Sequence, residues 1–82
     1  MEIRTKFSIG DKVWVIDCVE DVEQNAEWFV YSERKIERIK IEIEYDEIII
    51  FYCFEDVGEP EELCFSTKEE AQKECDKRNG TI

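Results

Sequence analysis

The chain of 82 residues contains no histidine, only one proline, and half as many basic as acidic side chains. Without histidine it lacks the commonest general base and the commonest metal ligand of proteins. With 11 Lys and Arg against 22 Asp and Glu, its net charge is −11. It therefore lacks the cationic surface that non-specific binding to nucleic acid or to an anionic membrane requires. These deficits argue against an enzyme and predict no direct binding to nucleic acid or membrane.

Long apolar runs are also missing. The longest covers residues 48–54, far short of the roughly 20 residues that a membrane-spanning helix needs. Residues 1–6 contain no apolar segment of the kind that signal peptides carry. We therefore expect a cytoplasmic protein, and the length predicts a single domain over residues 1–82.

The four cysteines do not have the spacing of a metal site. Cys18, Cys53, Cys64 and Cys75 include no C-x-x-C pair of the kind that binds zinc. In a cytoplasmic protein the simplest expectation is four reduced thiols that pack as small apolar side chains. One disulfide or a four-thiolate metal site are the alternatives. We predict neither a metal nor a cofactor.

Strand patterns dominate the first two thirds of the chain. Residues 13–19 are rich in β-branched and aromatic side chains, as strands are. Residues 28–45 have strand character throughout, and Ile39, Ile41 and Ile43 alternate with charged residues, which is typical of a strand with one buried face. This alternation slips near Glu37–Arg38, which predicts a bulge in one long strand. A turn at residues 32–34 is the alternative.

The remaining segments predict a hairpin, a loop and a helix. Asp46–Glu47 separates two apolar runs and predicts a tight turn. Residues 48–54 are apolar on both faces, so we expect a central, covered strand. Residues 55–62 predict a loop and 63–65 a short strand, and Ser66 with Glu69 forms the capping box of a helix over 67–78. Only Ala71 and Cys75 form its apolar stripe, so we expect the helix across the sheet edge or the barrel mouth and outside the core.

This order of elements predicts a mainly β protein, a small antiparallel, partly open barrel with a C-terminal helix. The opening Phe7-x-Ile9-Gly10-Asp11-x-Val13-Trp14 is similar to the first turn and strand of SH3-like and KOW-type barrels. The segment from Leu63 to Ala71 resembles the end of many small proteins of phages and mobile elements of Gram-positive bacteria. Some small acidic phage proteins inhibit host defence, anti-CRISPR proteins among them. The resemblance implies such an inhibitor in the bacterial host cytosol, and it implies no particular functional residue.

Almost all the excess negative charge lies in two short segments. Residues 13–27 and residues 55–62 each contain five acidic side chains and no basic one. In an antiparallel meander alternate connections lie at the same end, so we expect both segments to form one acidic rim. Such a rim would bind a basic, nucleic-acid-processing host protein by mimicking phosphates. The predicted partner-binding residues are Glu20, Asp21, Glu23, Glu27, Trp28, Glu55, Asp56, Glu59, Glu61 and Glu62.

Other interpretations of these residues remain open. The acidic loops could serve solubility alone, and Trp28 could pack in the core. Residues 17–23 could bind calcium, although the spacing of a calcium loop is missing. The protein could be a structural or interaction module, a monomer or a homodimer that pairs through its sheet. The basic cluster Arg34, Lys35, Arg38 and Lys40 could bind a phosphorylated second messenger.

Overall fold

Two three-stranded antiparallel sheets and a C-terminal helix make up the part of the chain that the computed structural model describes, residues 2–23 and 25–80. The first sheet has the order β2-β1-β6 and the second the order β3-β4-β5. The sheets do not close on each other, so the predicted mainly β, partly open barrel is confirmed. The elements are β1 Lys12–Glu20, β2 Ala26–Lys35, β3 Arg38–Glu44, β4 Glu47–Phe54, β5 Val57–Pro60, a 3₁₀ helix Glu61–Leu63, β6 Cys64–Phe65 and the helix α1 Lys68–Arg78.

The predicted long strand over 28–45 is divided into β2 and β3, which belong to different sheets. The division falls at Ile36–Glu37, where the alternation slips. Ile36 is buried, and its backbone N–H donates to the Asp11 carbonyl at 2.9 Å, so the chain turns the barrel corner around an apolar anchor. The turn considered at residues 32–34 does not form, because these residues pair with Val13, Trp14 and Val15 of β1.

A register shift lies within the first sheet. Val15 pairs with Ser32 and Ile16 pairs with Val30, which makes Tyr31 an extra residue on β2. An extra residue of this kind bends a strand and increases its twist. The sequence pattern did not indicate a bulge at this position.

The main core lies between the two sheets. Val13 and Val15 of β1 pack with Ile36 and with Tyr52 and Phe54 of β4. Val13 and Val15 share one face of β1 because side chains alternate along a strand. Burying such side chains stabilises the fold by about 1.5–3 kcal/mol each.

A second core forms under α1. Ala71 and Cys75 are buried on Ile16, with Trp14 and Trp28 packed around them. The helix therefore covers the outer face of the first sheet and contributes to a core, whereas we expected it across the sheet edge or the barrel mouth and outside the core. Its N-cap is Thr67, whose hydroxyl accepts from the Glu70 N–H at 3.1 Å. The capping residue is thus one position later than the predicted Ser66.

The β3–β4 and β4–β5 connections are both tight turns. Tyr45 and Asp46 connect β3 to β4, one residue earlier than predicted, and Tyr45 has a positive φ of 54°. Glu55 and Asp56 form a second two-residue turn, so the predicted loop over 55–62 is instead a turn, β5 and the 3₁₀ helix. β4 is central in its sheet, as predicted, but its first residues remain exposed.

Candidate functional site

The first acidic segment forms the tip of the β1–β2 hairpin, which we call the hairpin tip (Glu20, Asp21, Glu23 and Glu27). The Asp21 carboxylate accepts from the backbone N–H groups of Glu23 at 2.9 Å and of Asn25 at 3.0 Å. The Asn25 backbone first, and then its side chain and the Glu23 backbone, lower the pKa of Asp21 below its ordinary value. Asp21 is therefore a turn-forming residue, and the other three carboxylates are exposed around it.

The second acidic segment, which we call the β4–β5 segment (Glu55, Asp56, Glu59, Glu61 and Glu62), begins with the turn that follows β4. The Glu55 N–H donates to the Glu37 carboxylate at 2.8 Å, and Glu37 follows the end of β2, where Lys35 pairs with Lys12. The hairpin tip lies at the other end of the nine-residue β1. At about 3.3 Å per residue the two ends are roughly 26 Å apart.

The prediction of one acidic rim is wrong for the two turns, although the two acidic segments do meet at Asp17, which lines one cleft with Glu55, Asp56 and Glu59. It assumed a single meander, in which the two connections share an end, but the chain changes sheet at Ile36–Glu37. The chain from Val15, which lines a cleft with Glu55, to Asp21 spans roughly 20 Å, which exceeds the Debye length of about 8 Å at physiological salt. Glu55 and the hairpin tip consequently do not act as one cluster of charge.

A cleft between the two sheets brings part of the second segment against β1. It has a volume of about 380 Å³, and Glu55, Asp56 and Glu59 line it together with Asp17. Burial, and then the negative charge of Asp17, raise the pKa of Glu59. The carboxylates are thus distributed along the second half of β1, from the cleft of Asp17, Glu55, Asp56 and Glu59 to the hairpin tip.

Asp17 was not among the predicted partner-binding residues. The sequence does indicate the position of Asp17, because Asp17 continues the alternation of Val13 and Val15 and so lies on the same face of β1. Tyr31 and Arg34 of β2 line the same cleft. The Arg34 guanidinium lies over the Phe54 ring at 5.9 Å.

Glu61 has a structural role that the sequence did not indicate. Its carboxylate accepts hydrogen bonds from the Tyr52 hydroxyl and from the Lys6 N–H, the latter at 3.0 Å. The Tyr52 hydroxyl in turn accepts from the Phe7 N–H at 3.1 Å. Glu61 therefore connects the N-terminal segment to the core and is the least available of the predicted carboxylates.

Trp28 lies between the hairpin tip and the helix. It packs in the second core, and the Arg78 guanidinium lies 4.4 Å from its ring centroid. Asn79 accepts from the Trp28 N–H at 2.8 Å and donates to the Trp28 carbonyl at 3.0 Å. The ring is half-buried, so these contacts favour the core-packing interpretation of Trp28.

None of the nine predicted carboxylates forms an ion pair with a lysine or arginine within residues 2–23 and 25–80. The ion pairs of that part of the chain are Arg4–Glu2, Lys40–Glu42 and Arg78–Glu74. Among the described residues, Arg34 is the one basic side chain that lines the cleft of Asp17, Glu55, Asp56 and Glu59, so the carboxylates there outnumber the basic group beside them.

The basic cluster predicted as an alternative site is divided between the two sheets. Arg34 and Lys35 belong to β2, whereas Arg38 and Lys40 belong to β3. Arg38 and Lys40 line a shallow cleft of about 630 Å³ beside Phe51 and Cys53. The Lys40 ammonium forms an ion pair with the Glu42 carboxylate at 3.0 Å, which weakens the attraction of Lys40 for an anionic ligand.

The described residues contain no group of three or more acidic or cysteine side chains that could hold a metal ion, which includes those at positions 17–23. No described helix is both long and apolar enough to cross a bilayer.

All four cysteines are free thiols, as predicted. Burial, and then the charges of Glu59 and Glu61, raise the pKa of Cys64 to about 12.

No protein-family model, curated protein or solved structure matches this chain.

Proposed function

We propose that the protein is a non-enzymatic binding protein whose carboxylates along β1 occupy the basic, nucleic-acid-binding surface of another protein. The observation that carries the proposal is the row of carboxylates without ion pairs from the cleft beside Val15 to the hairpin tip, along about 16 Å of strand. The row consists of the hairpin tip, Asp17, and Glu55, Asp56 and Glu59 of the β4–β5 segment.

An extended row suits a nucleic-acid channel better than the compact rim we expected. A strand of B-form DNA carries one phosphate per 3.4 Å of rise, so about 16 Å corresponds to roughly five base pairs. Asp17 and Glu20 lie on β1, and the other carboxylates lie on the strands and tight turns beside it, so they present negative charge over that length without the ordering that a flexible tail would undergo. Complementary potential of this kind accelerates association and selects basic partners.

The resemblance to small phage proteins narrows the proposed partner. The partner would be a nucleic-acid-processing effector of bacterial defence, and the protein would inhibit it in the host cytosol in the manner of an anti-CRISPR protein. The net charge of −11 supports this assignment over direct binding to nucleic acid.

The test compares two pairs of charge-neutralising substitutions on an immobilised protein. Glu20→Gln with Glu23→Gln removes two charges at the hairpin tip and leaves the turn-forming Asp21 in place. Glu69→Gln with Asp76→Asn removes two exposed charges from α1 and serves as the matched control. We expect wild type and control to capture the same basic protein from bacterial lysate, released by salt and displaced by double-stranded DNA, and the hairpin-tip variant to capture much less. Equal capture by both variants would refute a role for the hairpin tip.

A second candidate function, an interaction module that pairs through its sheet, is favoured by a different observation. The apolar face of the β3–β4 hairpin extends beyond the core. Ile41 is 41%, Ile43 61% and Ile48 39% exposed. Sedimentation at low and high salt separates the candidates, because association through apolar contacts persists at high salt.

A further inference from the structure

We infer that β3 is an edge strand built to pair with the β3 strand of a second copy, antiparallel and centred on Ile41. The inference gives the second candidate function a specific form and does not depend on the binding of a basic partner. It is carried by the open edge of β3, by its exposed isoleucines and by the order of charges along it.

The edge of β3 is open. β3 pairs with β4 on one side, and no described strand pairs with it on the other. An open edge presents backbone donors and acceptors that another strand can use. β3 is seven residues long, which is long enough for a stable ladder.

The turn before β4 determines which residues direct their backbone groups to that edge. A two-residue turn places Glu44 and Glu47 in a hydrogen-bonded pair, and such pairs alternate along an antiparallel ladder. Glu44, Glu42, Lys40 and Arg38 therefore direct their backbone groups to β4. Ile39, Ile41 and Ile43 direct theirs to the open edge.

The charges of β3 are complementary to a reversed copy of themselves. The strand reads Arg38-Ile-Lys40-Ile-Glu42-Ile-Glu44, with positive charge in its first half and negative charge in its second. In an antiparallel pair centred on Ile41, Lys40 lies opposite Glu42 of the second copy and Arg38 opposite Glu44. A two-fold axis repeats both pairs, as an isologous interface requires.

Neighbouring registers lose this complementarity. Only Ile39, Ile41 and Ile43 direct backbone groups to the open edge, so backbone hydrogen bonds form only in registers that place isoleucine opposite isoleucine. A centre on Lys40 would place two lysines face to face, and a centre on Glu42 would place two glutamates face to face. Like charges directly opposite destabilise a sheet. The centre on Ile41 is thus the one central register in which every charged pair is of opposite sign.

The same register extends the apolar face. Ile41 lies opposite Ile41 of the second copy, and Ile39 lies opposite Ile43. These side chains are on the face of β3 that Ile48 and Ile50 share across the β3–β4 ladder. Pairing removes the exposed area of Ile41 and Ile43 from water and produces one continuous six-stranded sheet.

The test uses two variants that cannot pair with themselves but can pair with each other. Arg38→Glu with Lys40→Glu makes β3 acidic throughout, and Glu42→Lys with Glu44→Lys makes it basic throughout. Wild type should form a dimer in sedimentation. Each variant alone should self-associate roughly a hundredfold more weakly, because two kinds of opposite-charge pair, each present twice, become like-charge pairs. A mixture of the two should form a heterodimer, which also shows that both variants fold.

Amide hydrogen exchange identifies which residues of β3 pair with the second copy. The amides of Ile39, Ile41 and Ile43 should become protected as the wild-type concentration rises, whereas those of Lys40 and Glu42 are protected by β4 at every concentration. A wild type that stays monomeric would overturn the inference, and so would a mixture that fails to associate. A dimer whose affinity is unchanged by all four substitutions would overturn this register and would indicate pairing through another part of the sheet. The lysate experiment tests the basic partner separately.

Discussion

The Tyr52 hydroxyl donates a hydrogen bond to the Glu61 carboxylate, although Glu61 was predicted to be free for a partner. Tyr52 is fully buried in the main core. The same carboxylate accepts from the Lys6 N–H, so one side chain joins the core, the 3₁₀ helix and the N-terminal segment. The hydrogen bond between Tyr52 and Glu61 therefore has a stabilising role.

Removing either partner should destabilise the fold. Tyr52→Phe leaves the Glu61 carboxylate with only the Lys6 N–H as a donor and the Phe7 N–H without an acceptor, and we expect a loss of about 1–2 kcal/mol in the free energy of unfolding. Glu61→Gln should cost a similar amount. A double-mutant cycle measured by urea denaturation should give a coupling energy clearly above zero, and strictly additive losses would show that the two groups do not interact. Glu62→Gln is the matched control and should leave stability unchanged.

Tyr52 also predicts alkaline sensitivity. Burial, and then the hydrogen bond to Glu61, raise the pKa of Tyr52 to about 12 from the ordinary value of 10.0. The folded state therefore holds this proton more tightly than the unfolded state. Its stabilising contribution is complete below pH 10 and is lost as the pH rises through about 12. Unfolding midpoints measured across this range should fall less steeply for Tyr52→Phe than for wild type, and parallel curves would contradict the assignment.

The cysteines should divide into two reactive and two unreactive thiols. Cys64 and Cys75 are buried, and burial is the first cause of the raised pKa of each thiol. Because the thiolate is the nucleophile, an alkylating reagent at neutral pH should modify Cys18 and Cys53 first. Mass spectrometry with peptide mapping should show two fast additions on the folded protein and four after denaturation. Early modification of Cys64 would contradict the packing.

The end of α1 should depend on Asn79. Its side-chain amide accepts from the N–H and donates to the carbonyl of Trp28, which fixes the helix C-terminus to the start of β2. Asn79→Ala removes both bonds and should cost about 1–2 kcal/mol in the free energy of unfolding. Asn79→Asp retains the acceptor and should cost less. Thermal denaturation of the two variants measures the difference, and equal losses would exclude a specific bond to the Trp28 N–H.

The sequence predicted the fold class well because periodicity reports which face of an element is buried. The alternation of Ile39, Ile41 and Ile43 identified β3, and the apolar run over 48–54 identified β4. The same pattern could not show that residues 28–45 belong to two sheets, because the alternation within each half is local. Only the pairing of Ile36 with Asp11, a tertiary contact, reveals the corner.

The candidate site was less predictable for the same reason. The charge segments were correctly read from the sequence, but their relative position depended on the connection between the sheets. In the sequence, Glu61 cannot be distinguished from the other acidic residues of segment 55–62, because its contact with Tyr52 is a tertiary one. Asp17 could have been assigned to the cleft from its phase with Val13 and Val15, since strand alternation alone places the three on one face.

The salt dependence of binding tests the proposed function most directly. With the protein captured from lysate purified as the probe, its dissociation constant is measured over a series of salt concentrations for wild type, the hairpin-tip variant and the α1 control. We predict a steep weakening with salt for wild type and control, and a distinctly shallower slope and lower affinity for Glu20→Gln with Glu23→Gln, because fewer charges are paired in that complex. Identical slopes for all three proteins would contradict binding through the carboxylates along β1.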